Sequence, residues 1–570
     1  MKKSSQVKFT DPSPDVEIFL PDGRTLSGPR GAKVDDFLKI IEAPGATPIV
    51  GAIVNGELRE LTFPIDTEAK VRPVSMAEAD GMRIYRRSLT FLLERAFTEL
   101  FPKVTIHIDH SISSGGYYCE IADGPPLSKD DLENLEARMH ALVEANLPFT
   151  RLEVPLSEAI AYFQAEGAQD KVRLLAHRKK DYLTIYDLQG RHDYHHGYMV
   201  PSTGYLRWFA LAPTNSGFTL RFPRRHSPTQ LLPLPELPKL LKTFQQYGDW
   251  LKRLGISNVG ALNDAIQATR SREIILVSEA LHEQWISEIA AMIVNREQLP
   301  RVILVAGPSC SGKTTLSKRL SIQLLARGLS PFTLEMDNYF VDRDLTPRDE
   351  SGALDFESLE ALNRQQLSAD LRNLIAGKTV KPPKYDFITG KSSPGDEIQL
   401  KEEELVILEG IHGLNPELLT GLPASHAFRI YVSALTQLNL DSHNRVSTTD
   451  TRLIRRIVRD ARERGYTAQQ TIQRWELVRR GEKRHIFPFQ ENCDVMFNSA
   501  LAYELSVLRP LAEPLLRQVP HGTPEYVEAK RLLAFLEWFL PLENDMVPDN
   551  SILREFIGNS ILRDFKLWHQ

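Results

Sequence analysis

Apolar residues recur along this chain with two periods, and the changes between them set out its organisation. Residues 16–20 read as a strand, and Pro21-Asp22-Gly23 follows as a turn, because proline presets φ and glycine accepts positive φ; a hairpin should result. Residues 34–41 have helical spacing, and Asn55-Gly56, the pair a two-residue turn prefers, divides two short strands across 53–58. A β-rich unit ending near Val74 is expected. From residue 84 to 100, Leu89, Leu92, Leu93, Ala96 and Leu100 mark one face of a long amphipathic helix. Helices are also expected over 129–146 and 157–165, the latter with Ser157 as N-cap and Gly167 at its end. The proline-rich stretch 227–238 reads as a linker, and 240–295 as mainly helical. Residues 302–306 are then a short, wholly apolar run of the kind a buried parallel strand produces. Near the end, Ser551-Ile-Leu-Arg-Glu-Phe is echoed by Ser560-Ile-Leu-Arg-Asp-Phe; two units are too few for a repeat architecture, so these are two similar turns packing an apolar edge.

Composition narrows the class. A length of 570 residues suggests three or four domains, and 42% hydrophobic with 25% charged residues excludes a disordered or low-complexity chain. The net charge of −5 gives no global field toward nucleic acid or anionic lipid, so an RNA contact would have to be a local patch. No stretch approaches the roughly 20 apolar residues of a membrane span, and the opening MKKSSQVKF lacks an apolar core, which together predict a soluble cytoplasmic protein. Cys119, Cys310 and Cys493 are too few and too scattered for a disulfide framework or a paired-cysteine zinc site.

The densest chemistry follows the apolar run at 302–306. Gly307-Pro308-Ser309-Cys310-Ser311-Gly312-Lys313-Thr314 fits G-x-x-x-x-G-K-[ST] between that strand and a helical run at 316–327. Such a loop wraps phosphate with successive N–H groups and a helix N-terminus; Lys313 would reach the β/γ-phosphates and the Thr314 hydroxyl could ligate Mg²⁺. Cys310 is a loop filler whose backbone matters. A second strand at 332–336 places Asp337 at its carboxyl end, where it could accept a proton from an attacking hydroxyl, or serve as an N-cap or a ligand to Mg²⁺-bound water. A third apolar strand at 405–408 ends in Glu409, either a carboxylate beside Mg²⁺ or a plain helix cap. Arg452, Arg455, Arg456, Arg459 and Arg462 span about 120° of a helix, opposite an apolar stripe. The run reads as a lid over ATP, or as a solvated face or RNA patch.

In these motifs the chain from Arg301 to about Ala500 resembles the uridine kinase and phosphoribulokinase family: GPSCSGKTT, MDNYF, LDF, PPKYDF, VILEG and TRLIRRIVRDARERG occur in the family's order. The resemblance implies an ATP- and Mg²⁺-dependent kinase in which Gly307, Ser309, Cys310, Ser311, Gly312, Lys313, Thr314 and Thr315 hold the nucleotide, Thr314 and Glu409 serve the metal, and Asp337 is the base. It further implies Asp355 as a binder of ribose hydroxyls, Phe340, Tyr385 and Gln470 in the acceptor pocket, Arg452 near the acceptor and Arg455 on ATP. Where pyrimidine kinases carry a base-reading histidine after YDF, this chain has Gly390.

The LPDG and VNGEL turns make residues 16–74 resemble the TGS domain, a β-grasp module. RRSLTFLLERAFTELFP, GGYYCEI and GYMVP make 77 to about 225 resemble the editing domain of threonyl-tRNA synthetases. That family's two pairs of editing residues fall on Arg87, Phe91, His195 and Met199, so three of the four have lost the chemistry and hydrolytic editing is not expected. His192, His195 and His196, with His107, Asp109 and His110, read as hydrogen-bonded histidines in a polar cleft or as a metal site.

The expected fold is therefore multidomain α/β and α+β: a tail at 1–14, a TGS-like β-grasp domain at 15–76, an editing-like domain at 77–226, a linker and helical segment at 227–298, a parallel-sheet P-loop kinase-like domain at 299–515 and a helical extension at 516–570. The leading reading is phosphoryl transfer to a hydroxyl of a nucleoside or ribose-like small molecule, with the N-terminal half regulatory or binding. RNA contact through that half and homo-oligomerisation are both compatible with it. The competing reading is an RNA- or ribosome-associated P-loop regulator, for which Asp337, Asp355 and Tyr385 would have no use.

Overall fold

In the computed structural model, described for residues 13–43, 45–122, 124–349, 352–386, 389–401, 404–419 and 423–565, alternating strands open the chain. Most of the expected tail, residues 1–12, lies outside the described residues. β1 (Asp15–Phe19) and β2 (Thr25–Pro29) form the first hairpin, α1 (Val34–Leu38) follows, and β3 (Ile49–Val54), β4 (Glu57–Arg59) and β5 (Ala69–Ser75) complete a sheet of order β2-β1-β5-β3-β4. Asn55 and Gly56, at φ +50° and +85°, make the β3–β4 turn, the conformation that Asn-Gly tolerates.

The long helix α2 (Ala79–Leu100) begins five residues before the expected start. Its buried face packs a core with Ile106, Leu135, Met139 and Phe218, from the elements that follow. These are β6 (Thr105–Ile112), β7 (Gly116–Ala122), α3 (Lys129–Glu144), β8 (Thr150–Pro155), α4 (Leu156–Ala165), α5 (Gln169–Ala176), β9 (Tyr182–Leu188), β10 (Arg191–Asp193), β11 (Ala210–Thr214) and β12 (Gly217–Arg221). They form two sheets, β8-β9-β10 and β11-β12-β7-β6. Ser157 is not the cap of α4: Pro155 holds that position without a side-chain bond, because the helix starts one residue earlier than its serine.

Pro238 starts α6 (Pro238–Leu254), where its missing N–H is harmless, and α7 (Val259–Gln267) and α8 (Ser271–Val294) follow. Then come β13 (Val302–Ala306), α9 (Lys313–Leu325), β14 (Ser330–Glu335), α10 (Arg364–Ile375), the hairpin β15 (Pro383–Asp386) and β16 (Lys391–Pro394), β17 (Glu404–Glu409) and β18 (Ala427–Ser433). The chain continues through α11 (Thr448–Glu463), α12 (Ala468–His485), β19 (Val495–Asn498), α13 (Glu504–Arg517), α14 (Pro524–Leu536) and α15 (Arg554–Ile557). β14-β17-β13-β18-β19 is an all-parallel sheet, and all five residues of β13 are buried, as a central strand covered on both faces requires.

One apolar core joins segments that the sequence separates. Leu174 and Leu183 from the synthetase-like region, Ile286 of α8, Leu316 of α9 and Leu532 of α14 belong to the same cluster. The segments at 227–298 and 516–570 thus pack into the P-loop sheet's core. A polar clamp adds to this: the loop after β18 donates from Asn439 to the carbonyls of Ile108 and Asp109, at 3.2 and 2.9 Å, and the buried Lys171 ammonium bridges Asp193 at 2.9 Å and Asp441 at 3.1 Å.

Candidate active site: the phosphate loop and its cleft

The phosphate loop is shaped by close packing. A Cβ on Gly307 would lie 2.0 Å from the Val432 carbonyl oxygen, and Gly312 combines φ +87° with Ile552 only 2.6 Å from where its Cβ would stand. Cys310 is buried with φ +58°, and its carbonyl accepts from Arg455 at 3.3 Å, so its backbone matters, as expected of a filler. Ser311 is buried with its hydroxyl unpartnered among the described residues. Lys313, at the first turn of α9, donates to the Pro308 carbonyl at 3.2 Å, so its ammonium lies folded over the loop.

Thr314 donates to Glu409 at 3.0 Å, joining the helix start to the end of β17. Burial pushes the Glu409 carboxyl up to about 8 against the pull of Lys313, with Glu555, Asp337 and Glu335 adding to the rise. Asp337 lies in a short 3-10 turn directly after β14, open to the cleft. The surrounding protein raises its carboxyl above the usual range, and Lys313 opposes this. A hydroxyl and several carboxylates around a phosphate loop form an all-oxygen donor set with excess negative charge, which suits a hard divalent cation.

On the acceptor side, Phe340 and Tyr385 have ring centroids 5.7 Å apart, and Phe356 meets Phe340 edge-on at 6.2 Å. Asp355 accepts from the Glu357 N–H at 3.1 Å and lies 3.7 Å from His485. Gly390, at φ +73°, turns so closely on Arg343 that a Cβ would fall 2.7 Å from its Nε; a histidine here would have to displace that side chain.

Three expected residues have partners within the protein. Gln470 sits in a capping box with Thr467 at the start of α12, each side chain accepting from the other's N–H, at 2.9 and 3.2 Å. Arg455 is fully buried, bonded to Glu504 at 2.6 Å and the Ser499 carbonyl at 2.8 Å, and braces the loop from behind through the Cys310 carbonyl. Arg452 is also buried, paired with Glu482 and lying over the Trp475 ring at 5.4 Å. Glu482 and Glu504, arriving from α12 and α13, neutralise two buried arginines of the arginine helix, while Arg462 stays exposed and lines a cleft with Arg459, Thr314 and Thr315.

Arg456, one of the expected arginine run, reaches the phosphate loop, and three carboxylates not singled out from the sequence, Glu482, Glu357 and Glu555, lie around it. Arg456 donates to the Ser309 hydroxyl at 3.0 Å, and Glu482 accepts from the Ser309 N–H at 3.2 Å. Glu357 faces the same cleft: burial and Glu482 push its carboxyl up to about 7. Glu555 accepts from both the N–H and the hydroxyl of Thr315, at 3.2 and 2.8 Å, placing a carboxylate on the N-terminus of α9. The only sequence signal for Glu555 was its place in the echoed SILR motif.

The expected histidine cluster only partly assembles. Among the described residues, Glu94, Asp193 and His195 are the group whose ligand atoms converge within 4.8 Å. His443, held at 2.8 Å from Asp193, and Lys171 already supply positive charge there. The Phe91 ring lies tilted against His195, with centroids 5.2 Å apart, and Met199 is buried.

The matches with known proteins follow this division of the chain. Residues 302–505 match the family model "Phosphoribulokinase / Uridine kinase family", and residues 16–74 match "TGS domain". The N-terminal region is similar to threonine–tRNA ligases: that of Geobacter sp. (strain M21) is 30% identical over 197 residues, 35% of this chain and 31% of the relative, and that of Burkholderia vietnamiensis (strain G4 / LMG 22486) is 34% identical over 197 residues, 34% of this chain and 31% of the relative. The chain therefore spans about a third of the length of these relatives. A solved structure described as a "Possible Uridine Kinase from Bacillus stearothermophilus" is 20% identical, covering 37% of this chain and 97% of its own at a TM-score of 0.27. Residues 302–505 thus match the phosphoribulokinase/uridine kinase family model, on a chain that also matches the TGS domain model and has an N-terminal region similar to threonine–tRNA ligases.

Proposed function

We propose that the chain is an ATP-dependent kinase that phosphorylates a hydroxyl of a ribose-bearing or ribose-like small molecule. The observation that carries this reading is the convergence of Lys313, Thr314, Glu409 and Asp337 at the carboxyl ends of β13, β14 and β17, beside the acceptor-side cluster of Phe340, Asp355 and Tyr385. The loop from Gly307 to Thr315 cradles the donor's phosphates with its N–H groups, and Lys313 moves from the Pro308 carbonyl to the transferring phosphoryl. Mg²⁺, held through Thr314 and Glu409, would neutralise charge on the β- and γ-oxygens. Asp337 takes the proton of the attacking hydroxyl, and its raised carboxyl makes it a stronger base than an ordinary aspartate. Asp355 accepts from the acceptor's vicinal hydroxyls while Phe340 and Tyr385 give it an apolar wall. With Gly390 in place of a base-reading side chain, selectivity should rest on the ribose.

The domain limits at 15–76, 77–226, 227–298, 299–515 and 516–570 are proposed as units of ancestry; they are not separate bodies, since one core crosses several of them. The N-terminal half then serves a binding or regulatory role. No helix among the described residues is long and apolar enough to cross a membrane.

The test compares uridine, cytidine, a purine nucleoside and their 2′-deoxy forms as acceptors. A site that hydrogen-bonds a hydroxyl can reject the analogue lacking it by about 10⁴-fold. Strong preference for the ribose forms with weak discrimination among bases is expected; indifference to the 2′-hydroxyl with strong base selectivity would refute the reading.

A further inference from the structure

A cavity of about 360 Å³ lies between the synthetase-like region and the P-loop domain, on the far side of Arg452 and Glu482 from the phosphate loop. Ten arginine and lysine side chains line it, against two lining carboxylates, Asp450 and Glu476. They arrive from α2, the segment after β12, the loop before α11, and α11, α12 and α14, in a chain whose overall charge is −5. Composition does not produce this concentration; the fold does.

Some of these cations are already neutralised. Arg531 holds both oxygens of Asp450 at 2.8 Å, Arg83 and Arg531 share Glu528, Arg225 pairs with Glu476 at the exposed rim, and Arg452 and Arg479 share Glu482. Arg86, Arg87, Arg224, Arg445 and Lys483 have no carboxylate partner among the described residues. Three of them are nonetheless held in place: Arg86 lies 5.7 Å from the Phe222 ring centroid, Arg445 lies 5.3 Å from that of Tyr117, and Arg87 donates to the Tyr198 carbonyl at 2.5 Å. Burial and mutual repulsion show in their acidity. Arg87 and Arg224 are each brought down to about 10, and Lys483 to about 7 with Arg225, Arg224 and Arg479 contributing.

Four arginines without a carboxylate partner, gathered with Lys483 around one cavity, form a site suited to an anion. The volume is that of a small-molecule site. We propose that this chamber binds a small organic polyanion carrying at least two phosphate groups, as a site distinct from the phosphate loop. A single monoanion would leave most of the positive charge unmatched. Glu482, which accepts from Arg452 and Arg479 on the chamber wall and from Ser309 in the loop, is the carboxylate the two sites share.

Inorganic tripolyphosphate is the probe. Titrated calorimetrically into the full chain, it should occupy two sites, one lost in Lys313→Ala and the other in the double variant Arg86→Gln/Arg224→Gln. Each arginine removed should weaken the chamber site at least about tenfold. The double variant should keep its unfolding midpoint and its affinity for an ATP analogue. A double variant that still binds tripolyphosphate like the parent would overturn the proposal. So would a parent protein that binds single-stranded RNA there but not tripolyphosphate. Should the double variant not fold, phenylglyoxal labelling of the unaltered protein decides: tripolyphosphate should slow modification of Arg224 at least about tenfold, and unchanged labelling would sink the assignment.

Discussion

At the scale of single residues, the account assigns charge and proton work to three side chains. Lys313→Ala should lower turnover by about 10²-fold or more, since it removes a fixed contact to developing phosphoryl charge; steady-state ADP release measures this. Asp337→Asn should lower turnover by roughly 10² to 10⁴-fold with little effect on ATP-analogue affinity, because the shape stays and only the proton acceptor goes. Glu409 makes a prediction about stability. Its native carboxyl titrates near 8 against an ordinary 4.5, so between those pH values the folded chain keeps a proton that the unfolded chain has released. Its contribution to stability therefore falls as pH rises across that window. Glu409→Gln should gain stability over the parent between pH 5 and 9, by on the order of 2 kcal/mol given its partial exposure, and Mg²⁺ should close the gap. Denaturant unfolding at the two pH values, with and without Mg²⁺, checks it. These residues were legible in the sequence because each sits at the end of an apolar strand or in a contiguous motif. The partners that hold Gln470, Arg452 and Arg455 were not legible, because packing and capping set them and no motif records them.

At the scale of elements, α11 and α15 decide how the phosphate loop is held. Arg455 reaches 49 residues along the chain to Glu504, so Arg455→Ala would leave a buried carboxylate alone beneath the loop. Breaking a buried pair from one side costs about 3–5 kcal/mol, and the unfolding midpoint should fall accordingly. α15 acts in the opposite sense: Glu555 puts an anion on the Thr315 N–H, at a helix terminus that favours phosphate. Glu555→Gln should bind an ATP analogue several-fold more tightly, since a helix-terminus charge is worth about 0.3–1 kcal/mol; fluorescence titration reads the change. The arginine periodicity correctly predicted a helix. It could not predict which arginines would be buried, because the covering residues come from α12, α13 and α15.

At the scale of the whole molecule, the chain reads as separate ancestral pieces yet folds around shared cores. Hydrophobic period marked the strands of the first sheet and of the P-loop sheet. It gave no sign that α6 to α8 and α14 would pack into the same cluster as β13, since contacts between distant segments leave no local pattern. The Lys171 clamp follows from this union. Lys171→Met would strand Asp193 and Asp441, whose charges it compensates, and should lower stability by about 3–5 kcal/mol, measurable by denaturant unfolding. The synthetase-like region, with Arg87, Phe91 and Met199 where hydrolytic chemistry would be needed, should leave mischarged threonyl-tRNA intact in the full chain. The central claim, phosphoryl transfer to a small hydroxyl acceptor, is tested most directly by acceptor-dependent ADP release across nucleosides and sugar phosphates, with Asp337→Asn run in parallel. The account predicts at least one ribose-like acceptor that raises ADP release in the parent and not in the variant; ADP release that no acceptor stimulates, or that Asp337→Asn leaves unchanged, would contradict it.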